Sequence, residues 1–295
     1  MPFLAVAAAL GASFCWAAGA LLAHKPATLL GPLALTRIQL VWAAAALVVL
    51  VTLQGGWNSV VWSHWPAFVI ASIVGVVVGN FAILSCLQRG GPRRAQLLLS
   101  MNGPFAAVLG FVFLGEVLTA QKLLGGALVL AGLALAIRYG SNSRDRLEDI
   151  KGSAAVMIAL GLLAAASNAV GLVFLKPAML AGTDPLAANA LRTAGGTLIV
   201  ALLVLWRPIM FAPINKPDIR LSILAITPGI LGYVVAVSLQ LYAVRWLDAG
   251  VAVILGSAAP ILILPMIWAF TGQKPRLLAW VGAMLAVTGT ALILT

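Results

Sequence analysis

Acidic side chains are scarce in this chain. Seven Asp and Glu stand against eighteen Lys and Arg among 295 residues, and none of the seven falls at the centre of an apolar run. Exchange of protons for cations inside a bilayer uses a carboxylate at depth, so the sequence argues against that chemistry. The two histidines, His24 and His64, stand alone between apolar blocks. No Ser-His-Asp set, no His/Glu metal set and no pair of carboxylates can be assembled from such a pattern, and neither a catalytic centre nor a metal site is expected. The two cysteines, Cys15 and Cys86, lie within apolar runs and suggest no disulfide framework. No GxxxxGK[ST] loop occurs, which leaves ATP-driven work by this chain alone without a phosphate cradle, and no other cofactor is indicated.

What the chain does have is apolar length. Hydrophobic residues make up 63% and charged residues 8%, with a mean hydropathy of +1.11. Soluble domains carry about 25% charged residues, so this composition is that of a polytopic membrane protein. A hydrocarbon core of about 30 Å takes about 20 helical residues. Apolar length and breakers give ten spans, near residues 3–24, 32–53, 66–88, 95–114, 118–138, 152–175, 185–206, 220–244, 250–271 and 276–294. The Ala/Leu/Gly runs lack the alternation of barrel strands, so the expected fold is all-α. The first block has no basic n-region and no cleavage site before a hydrophilic stretch, and it reads as a retained helix. The net charge of +11 is spread singly or in short clusters between spans, a pattern that orients a membrane protein and does not suit nucleic acid.

The chain is also written twice. The stretch Leu97–Gly132 holds Pro104 within one apolar run, a Gly115-Glu116 corner, and a second run with Gly126. A shift of 156 lays Pro104 on Pro260 and Gly126 on Gly282, and a shift of 151 lays Lys25-Pro26 on Lys176-Pro177. The expected organisation is a five-helix unit at residues 1–139, a polar connector at 140–151, and a second five-helix unit at 152–295. Five is odd, so the second unit enters the membrane in the opposite direction, and the expected architecture is an inverted repeat. Loops after the odd-numbered spans carry thirteen Lys and Arg, from Lys25 to Arg276, against three on the other side, Lys122, Lys176 and Arg245. The positive-inside rule then puts the basic loops in the cytoplasm and both termini outside.

These residues carry a family resemblance. The Pro of the fourth span, Gly115-Glu116, Gln121 and Gly126, together with Arg37 in the second span, resemble the EamA-type unit of the drug/metabolite transporter superfamily, in two tandem copies. The resemblance implies a ten-helix monomeric carrier of small-molecule solutes in a bilayer, by analogy the bacterial inner membrane, and it often means export of amino acids; a YddG-like branch is one instance. Nucleotide sugars and other anionic solutes, or flipped lipids, are the alternatives it leaves. Two departures stand out: Gly272-Gln273 replaces the Gly-Glu corner in the second copy, and Gln54–Trp65 has no Lys or Arg, whereas relatives more often carry basic residues there and keep their termini in the cytoplasm.

Within that frame, polar groups at mid-span depth are expected to face inward. Asn80, Asn102, Asn168 and Ser100, with the aromatics Trp16 and Tyr233 and the backbone of Gly256, are the candidate cavity residues. Asn189 and Gln240 lie less deep. Pro104 and Pro260 are candidate hinges, because proline inside a helix releases the carbonyl four residues earlier, here of Ser100 and of Gly256. Arg37 and Arg192 are the basic residues placed clearly inside spans, at a depth of about 7–12 Å. That is within snorkelling reach of the headgroups, or in place to meet a solute carboxylate.

Overall fold

A computed structural model of the chain describes residues 2–117, 119–139, 152–216, 218–256, 258–271 and 277–294. The connector 140–151 and the Gly272-Gln273 corner lie outside the described residues. Among them there are helices and no strands. Six helical stretches are long and apolar enough to cross a membrane: Phe3–Leu30, Pro32–Leu53, Trp62–Pro92, Ala154–Leu180, Pro185–Trp206 and Ile219–Trp246. The chain is therefore an integral membrane protein.

In chain order, α1 (Pro2–Leu30) and α2 (Pro32–Leu53) meet at Gly31, whose φ of 86° turns the chain before Pro32 starts the next helix. Then come α3 (Trp65–Ile70), α4 (Gly79–Leu99), α5 (Asn102–Leu114), α6 (Ala120–Tyr139), α7 (Ala154–Val173), α8 (Lys176–Leu180), α9 (Pro185–Trp206), α10 (Ile219–Gly229), α11 (Val237–Trp246), α12 (Ala249–Gly256), α13 (Ala259–Thr271) and α14 (Leu277–Leu294). Helix α4 bends sharply at Gly91, φ 76°, where Pro92 begins a new direction. Two wide, π-helical segments interrupt the long spans: Ala71–Val78 joins α3 to α4, and Ile230–Ala236 joins α10 to α11. They occupy corresponding places in the two copies, Gly75-Val76-Val77-Val78 against Gly232-Tyr233-Val234-Val235.

The two prolines act differently from the expectation drawn from sequence. Pro104 is the third residue of α5, and Pro260 is the second of α13. In a first helical turn the missing N–H breaks no bond, so each proline begins a helix just after an interruption and does not kink one from within. The Ser100 carbonyl is not left open: it accepts from Gly103 N–H at 3.2 Å. What the two copies share is a span split into two helices, at 100–101 between α4 and α5 and after Gly256 between α12 and α13.

Corresponding elements of the copies pack on each other, α6 on α14 and α2 on α9. Helix α1 packs on α10, α11, α12 and α13 of the second copy as well as on α4 of its own, while α7 packs on Ala71–Val78, α4 and α5. Polar links tie these crossings: Ser13 Oγ donates to Leu255 C=O at 2.9 Å, Gln240 Nε2 to Ala252 C=O at 2.8 Å, and Asn189 Nδ2 to Tyr233 C=O at 2.6 Å. Because lipid is as apolar as leucine, helices associate by close packing of small residues and such bonds. The buried interior accordingly holds many alanines, while Trp42, Val49, Phe111, Val112 and Leu202 stand exposed on the outside.

The chain reversals gather at two ends. At one, Val61 N–H donates to Thr183 Oγ1 and Asp184 N–H to Ser59 Oγ, both at 3.0 Å. At the other, Ile214 N–H donates to Leu30 C=O at 3.2 Å and Asn215 Nδ2 to Leu29 C=O at 2.8 Å. The tightest crossing is midway, where a Cβ at Gly75 would come within 2.7 Å of the Gly171 Cα, and the reverse holds equally. Gly75→Ala should therefore destabilise the folded protein by about 1–3 kcal/mol through overpacking. Gly232→Ala, at the corresponding position but with nothing within 4 Å of its Cβ, should leave stability unchanged or slightly higher. Thermal unfolding in detergent compares the two, and equal melting temperatures would refute the close crossing.

Candidate functional site

A cavity of about 120 Å³ lies at the centre, lined by α1, α2, α4, α7, α9, α10, α11 and both π-helical segments, so both copies contribute to it. It starts in the middle of the bundle at Gly75, Arg192 and Tyr233. From there it runs toward the end where 24–31 and 207–216 meet, reaching Ala23, Leu87 and Ala95. We call that end the mouth.

Arg192 dominates its chemistry. Asp184 caps α9 by accepting from Leu186 N–H at 2.8 Å, and Pro185 fixes the first turn, which places Arg192 two turns inside. The residue is 2% exposed. Its guanidinium lies at the Gly75–Gly171 crossing, with Nη2 3.6 Å and Nη1 3.7 Å from where a Cβ on either glycine would sit. Nε and Nη1 have no hydrogen-bond partner, and Arg192 makes no ion pair among the described residues. A buried, unpaired cation is costly, and a fold keeps one where something else completes it.

Two amides share the cavity with it. Asn80 opens α4 directly after Ala71–Val78, and Asn168 sits on α7, where Gly79 lets the two helices touch at Ser167 and Asn168. Asn80 Nδ2 and Asn168 Oδ1 are buried without partners. Tyr233 is held by its carbonyl, which accepts from Asn189, and Trp16 by its carbonyl, which accepts from Gln96 Nε2 at 3.3 Å. The walls toward the mouth include the apolar Ile83, Leu84, Leu87 and Leu99.

Of the residues singled out in the sequence, Trp16, Asn80, Asn168, Tyr233 and Arg192 are brought together here. Ser100 and Asn102 are buried at 3% and 2% exposure in the break between α4 and α5, outside the cavity lining. Gly256 packs on Gln240, whose Oε1 would meet any Cβ there. Pro104 faces a separate apolar hollow of about 270 Å³ beside α6 and α12. Pro260 is described by its backbone alone, at the start of α13. Arg37 is half-buried beside a shallow apolar hollow with Val41, Thr197 and Leu205 on the outer face, away from the centre. Gln39 and Gln96 line the cavity and went unmarked in the sequence. Both are polar residues inside apolar runs, the same signal that marks Asn80, but each lies within about two turns of a loop.

At the end opposite the mouth a cluster links the two copies. Gly115 at φ 67° ends α5, and Glu116 N–H donates to Gly110 C=O at 3.2 Å. This turns the Glu116 side chain back over Gly110 and across to the second copy. Its carboxylate accepts from Ala249 N–H at the start of α12, at 2.9 and 3.0 Å, and pairs with Lys176 Nζ at 2.6 Å. Lys176 also donates to Leu247 C=O at 2.9 Å. The Lys176 and Glu116 side chains are 10% and 12% exposed. The side chain of Lys122, six positions along the chain, is outside the description, and the pairing observed is with Lys176, sixty positions on.

Comparison with known proteins bears on this arrangement. The profile of the EamA-like transporter family matches residues 3–138 and 155–295. The threonine/homoserine exporter RhtA of Escherichia coli K12 is 32% identical over 145 residues, 49% of this chain and 49% of its own length; the RhtA proteins of strains CFT073 and O157:H7 match to the same extent. The chain thus spans about half the length of the curated relatives it matches. A solved crystal structure superposes with a TM-score of 0.76 at 19% identity, over 98% of this chain and 95% of its own, which speaks to fold alone.

Removing one partner of the Glu116–Lys176 pair leaves the other charge stranded. Glu116→Gln and Lys176→Met should each lower the melting temperature, and the double variant should lose less than their sum. The coupling expected is about 0.5–3 kcal/mol. Strict additivity in the cycle would show that the pair contributes nothing of its own.

Proposed function

Because the chain belongs to the EamA-like transporter family, we propose that it is a secondary carrier exporting small metabolites, amino acids foremost, by alternating access around the central cavity. The observation that carries this reading is the cavity itself: built by both copies at mid-depth and lined by residues whose buried polar atoms no protein group satisfies. Discontinuous helices around a mid-membrane site are a recurring device of secondary transporters. The ten-span, inverted-repeat reading is supported by three features: the matched breaks before Pro104 and Pro260, the paired π-helical segments, and the exchange of α1 and α7 between copies. The amino-acid reading draws on the RhtA proteins, which are named as threonine/homoserine exporters. A phosphate-bearing solute is the second reading, favoured by the same Arg192 guanidinium.

The test is flux. Proteoliposomes containing the purified chain should exchange internal for external radiolabelled threonine or homoserine, or another amino acid of a broad panel. If none moves while nucleotide sugars do, the second reading stands. Loop charge sets the mouth on the cytoplasmic side, with both termini periplasmic. In a variant lacking Cys15 and Cys86, a cysteine replacing Lys216 should react with a membrane-impermeant maleimide in inverted vesicles and stay unreactive in intact cells; the reverse labelling would invert the orientation.

A further inference from the structure

We propose that the cavity recognises the charged head group common to α-amino acids, with the carboxylate on Arg192 and Asn80 and the ammonium on Asn168, and leaves the side chain to the apolar mouth. This rests on the amino-acid reading above and adds which atoms of the solute are read.

The unsatisfied atoms in the cavity form a pattern of signs. The Arg192 guanidinium and Asn80 Nδ2 are donors, while Asn168 Oδ1 is an acceptor. A guanidinium meets a carboxylate through charge-assisted hydrogen bonds. One guanidinium and one amide are few donors for a phosphate dianion, and the cation repels an amine that has no acid attached. Asn168 precedes Gly171 by three residues on α7, a rise of about 4.5 Å. Gly171 marks the guanidinium, so the acceptor lies about one turn nearer the mouth than the fork. An α-amino acid spans that interval with one hydrogen bond at each end. Beyond Asn168 the walls include Ile83, Leu84, Leu87 and Leu99, which offer the side chain apolar contact, beside the amides of Gln39 and Gln96, the latter donating from Nε2 to the Trp16 carbonyl.

Gly75 and Gly171 are positioning residues for this site. A Cβ on either would clash with the opposing backbone at 2.7 Å and come into contact with the guanidinium at 3.6–3.7 Å, so spreading the crossing would move the wall against which the guanidinium rests. With the cavity empty, Arg192 is a buried charge lacking a counterion, and the carboxylate of the solute completes it.

The experiment uses full-length protein in proteoliposomes with labelled L-threonine as probe. The competitors are free amino acids of different side chains, threonine methyl ester without the carboxylate, and 3-hydroxybutyrate without the ammonium. Several free amino acids should compete within about tenfold of threonine, and both incomplete analogues should be at least about a hundredfold weaker. Arg192→Gln should raise the threonine KM by about a hundredfold or more while melting at a higher temperature than the wild type, because an unpaired buried charge has been removed. Arg192→Lys should recover part of the affinity. In Asn168→Leu the advantage of threonine over 3-hydroxybutyrate should vanish. Equal competition by the methyl ester, an unchanged KM in Arg192→Gln, or a lower melting temperature in that variant would each overturn the proposal. If wild type moves no amino acid but moves another solute, the amino-acid reading itself fails. If amino acids move and the ester competes equally, only the head-group assignment fails.

Discussion

The backbone contact between Gly75 and Gly171 is the constraint on which the interior depends. It brings a π-helical segment of the first copy against α7 of the second with no side chain between them. Helices cross so closely only when both lack a Cβ, and in a bilayer such packing supplies much of the association energy that apolar burial supplies in water. The same contact leaves a gap beside it into which the Arg192 guanidinium fits. Shape and electrostatics therefore meet at one point: Gly75 borders the cavity, and the positive charge of Arg192 lies beside it. A turn away, Gly79 against Ser167 repeats the close approach and brings Asn80 and Asn168 into the same wall.

Polar residues that look alike in an apolar run divide into two kinds once the bundle is assembled. Ser13, Asn189 and Gln240 each give a hydrogen bond to a backbone carbonyl of another helix, and so hold the scaffold. Asn80, Asn168 and Arg192 bring four buried atoms without partners into one cavity, while outside it Gln240 Oε1 is also left open. An unsatisfied buried group is a standing penalty, and the gathering of four in one cavity marks the site.

Much of the fold could be read from the chain alone. The length of the apolar runs, the doubling at an offset of 156 and the prolines near the breaks follow from elementary constraints of lipid and backbone. The π-helical segments could not be read, because they depend on a shift of hydrogen-bond register and Ala71–Val78 is plain Ala/Ser/Ile/Val/Gly text. Arg37 and Arg192 carry the same signal, at similar depth near the start of the second and seventh spans; one faces an outer hollow and the other the cavity. Helices apolar on nearly every face give no phase from which to tell inside from outside. Pro104 and Pro260 were legible as breakers, but whether a proline ends one helix or begins the next depends on where the first turn falls. For Glu116, the corner was visible and the partner was not, since Lys176 lies in the other copy and comes near only after the hairpin folds over it.

The cluster at Glu116 also bears on how two opposed copies share their energy. Were the copies identical, exchanging their conformations would turn one access state into the other, and the two would be degenerate. This chain carries glutamate at one corner, held by Ala249 N–H and Lys176, and an uncharged residue, Gln273, at its sequence counterpart. In the proposed alternating-access cycle that difference in charge weights the two access states unequally, and the binding energy of the solute would make up the gap.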